Sequence, residues 1–205
     1  MNYKELLKSF TKEDYEAHRV NLHIHSVYSD GEIEFSQVVD ELKNYKALSI
    51  TDHNTVKGYR NNDFATLIPG VEFDVWHKYI FLHLLAYGID IKNSAMEKFY
   101  AKNKRGTQTD IVRFFSGRNL KNLINAIHNA GGIAVLAHPA CCWALSPRKF
   151  IKDLVDMGLD GIEIYYPYPR WRKYLKFAHP KVFEKLADEF NLIKTGGTDC
   201  HSKSL

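Results

Sequence analysis

No apolar run in this 205-residue chain approaches the roughly 20 residues that a membrane-spanning helix requires. The N-terminus, MNYKELLKSFTKEDYEAHRV, is charged and lacks the apolar stretch of a secretory signal, so the expected location is the cytoplasm. Cysteine is scarce. Cys141, Cys142 and Cys200 form no C-x-x-C pair and leave an odd count, which argues against a disulfide framework and a zinc ribbon. Internal repeats, low-complexity tracts and linkers are absent, so one domain spanning 1–205 is expected, with residues 1–20 as an N-terminal helical extension. Neither charge is in large excess: 28 Lys and Arg against 24 Asp and Glu give +4. That mild positive balance suits a phosphorylated substrate and is too weak to establish nucleic-acid binding. With 45% hydrophobic and 25% charged residues, the composition is that of a globular domain with a sizeable core.

Seven short apolar runs bounded by turn residues read as strands: RVNLHIH, ALSITDH, TLIPGVEFDV, YIFLHLLAYGI, GIAVLAH, GIEIYY and LIKTGGTD. Between several of them lie the amphipathic stretches EIEFSQVVDELKNYK, NLKNLINAIHNAG, PRKFIKDLVDMG and PKVFEKLADEFN, with SAMEKFYAKNKRGTQTDIVRFF as a further helix. Gly131-Gly132 and Gly158 stand where helices stop and strands begin. Repeated helix–glycine–strand units predict parallel strands with helices outside them, in an open α/β sheet or a barrel.

Ten histidines carry most of the information. In NLHIHSVYSDGE, alternation puts His23 and His25 on one strand face, and Asp30 follows at the next bend. An exposed strand end running into a turn explains that stretch as readily as part of a metal cage does. The rest of the chain weighs against the first explanation. Asp52, His53, Glu72, His83, His138, Glu163, Asp199 and His201 all fall in or just after a predicted strand. In parallel α/β folds the strand ends share one rim, where groups from distant positions converge. Taken alone, His83 reads equally as a core histidine, and Glu72 is costly to bury without a partner. His18, His77, His128 and His179 fall outside the pattern and read as surface or local-structure residues.

Six motifs, HIHSVYSDG, SITDHNT, IPGVEFD, FLHLLAYGID, AVLAHPA and GGTDCHS, resemble those of the PHP (polymerase and histidinol phosphatase) family of metal-dependent phosphoesterases, in the family's order. HLLAYGID and AVLAHPA are most similar to the stand-alone branch of nucleotide phosphatases and RNA-trimming exonucleases. The resemblance implies a distorted barrel of about seven β/α units, with up to three divalent ions (Mn²⁺, Fe²⁺ or Zn²⁺) at the C-terminal rim of the strands. By that likeness His23, His25, Glu72 and Asp199 would hold one ion. Glu72 would bridge to a second held by His83 and His138, and Asp30, His53 and His201 would hold the third. From the residues themselves, Asp52 reads as support for a ligating imidazole or as a turn cap, and Glu163 as such a support or as a buried carboxylate paired with a lysine or arginine. Imidazole and carboxylate donors without a cysteine cluster favour these borderline divalent ions.

The implied activity is hydrolysis, by a metal-activated hydroxide, of a phosphate ester of a nucleotide or short oligonucleotide. A histidinol-phosphatase-like activity on a small molecule and a metal-stabilised, non-catalytic binding domain remain the alternatives. No obligate protein partner is indicated. Arg105, Arg118, Arg148 and Arg170 are candidate phosphate contacts, and Tyr165, Tyr166, Tyr168 and Trp171 are candidates to stack a base. Relatives of that branch carry a capping insertion after the YGID motif. Here residues 92–130 leave room for about two helices, so the cap is expected to be reduced or absent. The sequence ends at Leu205, shortly after His201, where relatives continue with a closing segment.

Overall fold

The computed structural model of the chain describes residues 1–64, 66–169 and 179–205. All seven expected strands form: β1 (Val20–Ile24), β2 (Ala47–Ile50), β3 (Gly70–His77), β4 (Ile80–Tyr87), β5 (Ile133–Leu136), β6 (Gly161–Tyr165) and β7 (Ile193–Gly196). The N-terminal stretch folds into α1 (Tyr3–Ser9) and α2 (Lys12–Glu16), with Thr11 and Asp14 forming a capping box at the start of the second. α3 (Phe35–Glu41), a short α4 (Lys57–Asn61), and four helices α5 (Ser94–Glu97), α6 (Arg105–Gln108), α7 (Asp110–Phe114) and α8 (Leu120–Asn129) follow. α9 (Pro147–Asp156) and α10 (Pro180–Glu189) each begin on a proline, whose missing N–H costs nothing in the first turn. Among the described residues no helix is long and apolar enough to cross a membrane.

The expectation of parallel strands throughout is corrected at β3 and β4. These are joined by only Lys78 and Tyr79, with Lys78 at φ +55°, so they can pair only as an antiparallel hairpin. β4 also pairs antiparallel with β5, whereas β1–β2, β5–β6 and β6–β7 are parallel. Among the described residues the strands therefore form a two-stranded sheet and a mixed five-stranded sheet, and the ladder does not close into a barrel. Isolated bridges cross both seams. Ile24 pairs with Cys200 beyond β7, and His53 beyond β2 pairs with Glu72 of β3.

The first seam depends on a glycine. A Cβ on Gly197 would lie 2.5 Å from the backbone nitrogen of His23, too close for any side chain, so only glycine lets the chain leaving β7 lie against β1. Beside the second seam, Asn54 takes φ +56° and its N–H donates to the carbonyl of Glu72 at 2.7 Å. A second correction concerns residues 94–115, expected as one helix. The lysine- and asparagine-rich stretch 98–104 and Thr109 interrupt it, leaving α5, α6 and α7 as separate turns.

The larger hydrophobic core lies between the strands and helices and includes Phe35, Phe73, Leu84, Leu136, Ile151 and Phe183. A smaller one gathers Leu7, Phe10, Leu22, Leu85, Tyr87 and Val135, tying the N-terminal helix to the strands. Leu85 stands opposite Glu72 in the β3–β4 register, so this apolar cluster abuts the polar site.

Candidate active site

Strand alternation builds the site. His23 in β1 and His25 one residue past it point to the same side and are completely buried. Glu72 and Asp74 share one face of β3, and Asp74 stands opposite His83 of β4. Because β4 runs backwards, the start of that strand, not its end, reaches the site. His53, His138, Asp199 and His201 arrive just beyond β2, β5 and β7, and Glu163 arrives from within β6. Three residues here take positive φ, Asn54 at +56°, His138 at +24° and Asp199 at +53°; strain of this kind gathers at functional sites.

Glu72 is the centre, and its two oxygens face different sets of rings. Oε2 lies 3.3 Å from His23 Nε2, 3.2 Å from His25 Nε2 and 3.4 Å from His53 Nδ1. Oε1 lies 3.1 Å from His83 Nδ1 and 3.4 Å from His138 Nε2. Asp199 Oδ1 faces the same pair as Oε2, 3.3 Å from His23 Nε2 and 3.1 Å from His25 Nε2. Asp30 faces His201 Nε2 at 3.3 Å and His53 Nε2 at 3.7 Å. All nine residues expected around ions are thus brought together.

Three groups of donor atoms lie close enough to share an ion: His23, His25, Glu72 and Asp199; His25, Asp30, His53 and His201; and His53, Glu72 and His83. The third differs from the sequence expectation, since His53 stands where His138 was expected. His138 approaches the same Glu72 oxygen as His83 nonetheless.

The donors fit divalent cations. His23 Nε2, His25 Nε2, His53 Nδ1, His83 Nδ1, Asp30 Oδ1 and both Glu72 oxygens are buried without a hydrogen-bond partner. Unpaired buried polar atoms are costly, and so many converging on one point suit a charged ligand of nitrogen and oxygen preference. The electrostatics agree. Burial pushes His23 down, but Glu163, Glu72 and Asp199 push it up further, well above the usual imidazole value. Against the same burial, neighbouring carboxylates raise His25 to about 9 and His83 to about 10, and Cys141 together with Glu72 raises His138 to about 9. His53 is lowered, chiefly by burial. Glu72, Asp30 and Asp199 are held below the carboxylate range by the facing imidazoles, despite burial acting the other way. This field demands positive charge, which protons supply when metal ions do not.

Glu163 is completely buried. Its Oε1 lies 3.0 Å from His23 Nδ1, and its Oε2 accepts the backbone N–H of His138 at 2.9 Å. One carboxylate thereby fixes the His23 ring, leaving Nε2 aimed at Glu72 and Asp199, and anchors the turn that carries His138. Glu163→Gln is expected to weaken metal affinity tenfold to a hundredfold, on the order found for such partners, measured by competition with a metallochromic chelator. Asp52 acts differently. It accepts the Ser26 N–H and the hydroxyls of Ser26 and Ser29, each at 2.7 Å, and so pins the turn after His25 without touching an imidazole.

Two functional-looking residues escape the sequence reading. Asp74 is completely buried, with Oδ1 3.2 Å from His83 Nε2 and 3.5 Å from His53 Nδ1. Its partner Asn54 bonds its other oxygen and accepts its N–H. The signal was present: a carboxylate two residues after Glu72 must share its face. Arg113 of α7, only 8% exposed, donates to Asp30 Oδ2 at 2.8 Å and also pairs with Asp110. A broken helix hid it.

Arg105 is exposed on α6, Arg148 pairs with Glu189 and Arg118 donates to the carbonyls of Phe99 and Asp74. Arg170 and Trp171 lie outside the described residues. Tyr166 donates to Asp199 Oδ2 at 3.1 Å, and its ring centre is 5.2 Å from that of His138. Tyr165 stacks on Tyr15, and Tyr168 approaches the backbone of Ala140. His77 faces Asp153, His128 faces Asp160 and His179 caps α10, all local roles.

No family model matches the chain. The phosphoribosyl 1,2-cyclic phosphate 1,2-diphosphodiesterase of Eggerthella lenta is 22% identical, over 89% of this chain and 94% of that protein. An uncharacterised protein of Methanocaldococcus jannaschii is 26% identical, over 82% of this chain and 93% of its own. Among solved structures, an amidohydrolase of Chromobacterium violaceum with bound sulfate superimposes with a TM-score of 0.72 at 20% identity, covering 90% of this chain and 88% of that one. A candidate metal-dependent phosphoesterase of Bifidobacterium adolescentis gives 0.68 at 19%, with the same coverage. A two-domain protein of Bacteroides vulgatus, containing a predicted PHP-like metal-dependent phosphoesterase, gives 0.56 at 18%, over 89% of this chain and 52% of that one. The likeness read from the six motifs holds at the level of the fold.

Proposed function

We propose, on the premise that this chain has the fold of the PHP-like metal-dependent phosphoesterases, that it is a hydrolase acting on a phosphate ester of a nucleotide or short oligonucleotide with up to three divalent ions. One observation carries the reading: the buried Glu72 carboxylate turns one oxygen to His23, His25 and His53 and the other to His83 and His138. In this reading the ring of strands, its two seams stitched by single bridges, is a distorted barrel with the site at one rim. The short helices α5 to α7 take the place of a capping insertion.

Bound in this cluster, divalent ions supply Lewis-acid polarisation of phosphoryl oxygens and make water acidic near neutral pH. The chain's own groups do the rest. His23, His25 and Asp199 would hold one ion, and His83, with His53 or His138 beside the same carboxylate, would hold a second, with the charge of Glu72 offsetting theirs. Asp30, His53 and His201, beside His25, would hold the third. Glu163 orients His23, Tyr166 orients Asp199, and Asp74 orients His83 and His53. The site is walled by buried strands, so these charges act at short range with little solvent between them.

Protein reconstituted with Mn²⁺, Fe²⁺ or Zn²⁺ is expected to release phosphate or nucleotide from a panel of nucleoside phosphates and short RNAs. A steep salt dependence of kcat/KM would mark oligonucleotides, which make many phosphate contacts. Tight metal binding with no hydrolysis of any panel member would overturn the proposal in favour of a metal-stabilised binding domain.

A further inference from the structure

A cavity of about 530 Å³ opens against the His83 and His138 side of Glu72, and its lining holds Asp74, Arg113 and Asp110 besides those two rings. Its walls are apolar. Phe81 and Leu82 come from the β3–β4 hairpin, Ile111 and Phe114 from α7, and Cys142 from the turn after His138. The aromatic wall is built rather than draped. Trp76 packs edge-on to Phe114 with ring centres 4.8 Å apart, Phe81 lies 5.2 Å from Phe114, and the Trp76 indole N–H donates to the Phe114 carbonyl at 2.6 Å. Phe81 in turn stands edge-on to His83 at 5.4 Å, so the wall runs without a break into the donor cluster.

The cavity's size suits a small organic group, and its surface shows what kind. Ile111 is 67% exposed and Phe114 is 44% exposed, although both line this cavity beside the buried donors. Arg113, the guanidinium in the lining, is already engaged by Asp30, Asp110 and the Thr107 carbonyl. Asp110 adds negative charge at the rim, where its side chain is 89% exposed. A second anionic group would therefore meet carboxylates and spent arginine, whereas a flat apolar ring would meet aromatic edges and aliphatic side chains.

We propose that this cavity receives the leaving group of the ester and selects a neutral one bearing a planar aromatic ring. Within that reading the substrate is then a monoester whose only anionic group is the phosphate that is cleaved, and not an oligonucleotide. This rests on the hydrolytic reading above. In the reaction, the oxygen of water forms the new bond to phosphorus, the ester P–O bond breaks, and the departing oxygen takes up a proton originating from that water.

Binding separates the two ideas from reactivity. Calorimetric titration of the Mn²⁺-reconstituted protein with benzylphosphonate, methylphosphonate and carboxymethylphosphonate compares an aromatic, a minimal and an anionic substituent on a group that is not hydrolysed. Benzylphosphonate is expected to bind on the order of tenfold tighter than methylphosphonate, and carboxymethylphosphonate no tighter than methylphosphonate. Ile111→Ser, at an exposed position that tolerates substitution, is expected to reduce the benzyl-to-methyl ratio several-fold, and Phe114→Ala more.

Equal binding of the benzyl and methyl compounds, tightest binding of the carboxylate, or an undiminished ratio in both variants would overturn the inference while leaving the hydrolase reading intact. Failure to bind any of the three, together with failure to cleave any phosphate ester, would overturn both.

Discussion

Glu72→Gln is expected to lose at least one metal equivalent and to lower kcat by on the order of a hundredfold or more. The side chain is completely buried, neither oxygen has a hydrogen-bond partner, and five imidazole nitrogens lie within 3.4 Å of the pair. Glutamine keeps the shape, replaces one oxygen by a donor amide and removes the charge. Closely spaced dications held there would then repel without the anion between them, in a site too dry for water to screen the repulsion. A neutral histidine could not substitute, since its imidazole presents one lone pair to one ion. His128→Gln is the control. His128 is partly exposed, meets Asp160 at 2.7 Å and belongs to none of the three donor groups, so metal content and kcat should stay near wild type. Elemental analysis and initial rates on the two variants check the prediction. If both variants fail alike, the effect is one of stability and not of bridging.

Removal of bound metal is expected to lower the melting temperature substantially. Ions that bind only the folded chain stabilise it by about 4 kcal/mol at a thousandfold excess over Kd, which for a chain of this length corresponds to roughly 8–16 °C. The residual stability of the metal-free protein should depend on pH. His25 and His83 have pKa values raised to about 9 and about 10 by facing carboxylates, despite burial, from an unfolded value of 6.5. A raised pKa means a stabilising charge pair that is fully present below pH 6.5 and is lost as pH climbs through 9 to 10. The destabilisation caused by chelation should therefore widen as pH rises across that window. Thermal melts with and without chelator at several pH values measure it. A melting temperature indifferent to chelation would show that the cluster does not take up ions.

The nine residues expected around ions were named from the six motifs, and alternation along a strand, a local property of sequence, accounts for part of them. His23 with His25 is the clearest case. Asp74 was equally legible by that rule, two residues beyond Glu72, but it carried no motif of its own and was passed over. The hairpin of β3 and β4 could also have been read, since two residues cannot hold a crossover helix. It explains why His83 lies near the beginning of its strand. Arg113 was not legible. Its position depends on the breaks that turn one expected helix into α5, α6 and α7 and on the docking of Phe114 against Trp76 and Phe81, contacts between segments more than thirty residues apart. The two seams were hidden for the same reason. The approach of Gly197 to His23 is a long-range packing event with no periodic trace.

The central claim is that one carboxylate joins two ions, and electron paramagnetic resonance of the Mn²⁺-loaded protein tests it most directly. Two Mn²⁺ ions sharing Glu72 are magnetically coupled. The account predicts a coupled spectrum in the wild type that collapses to that of isolated ions in Glu72→Gln. A fully loaded wild-type protein showing only isolated, uncoupled Mn²⁺ would contradict it.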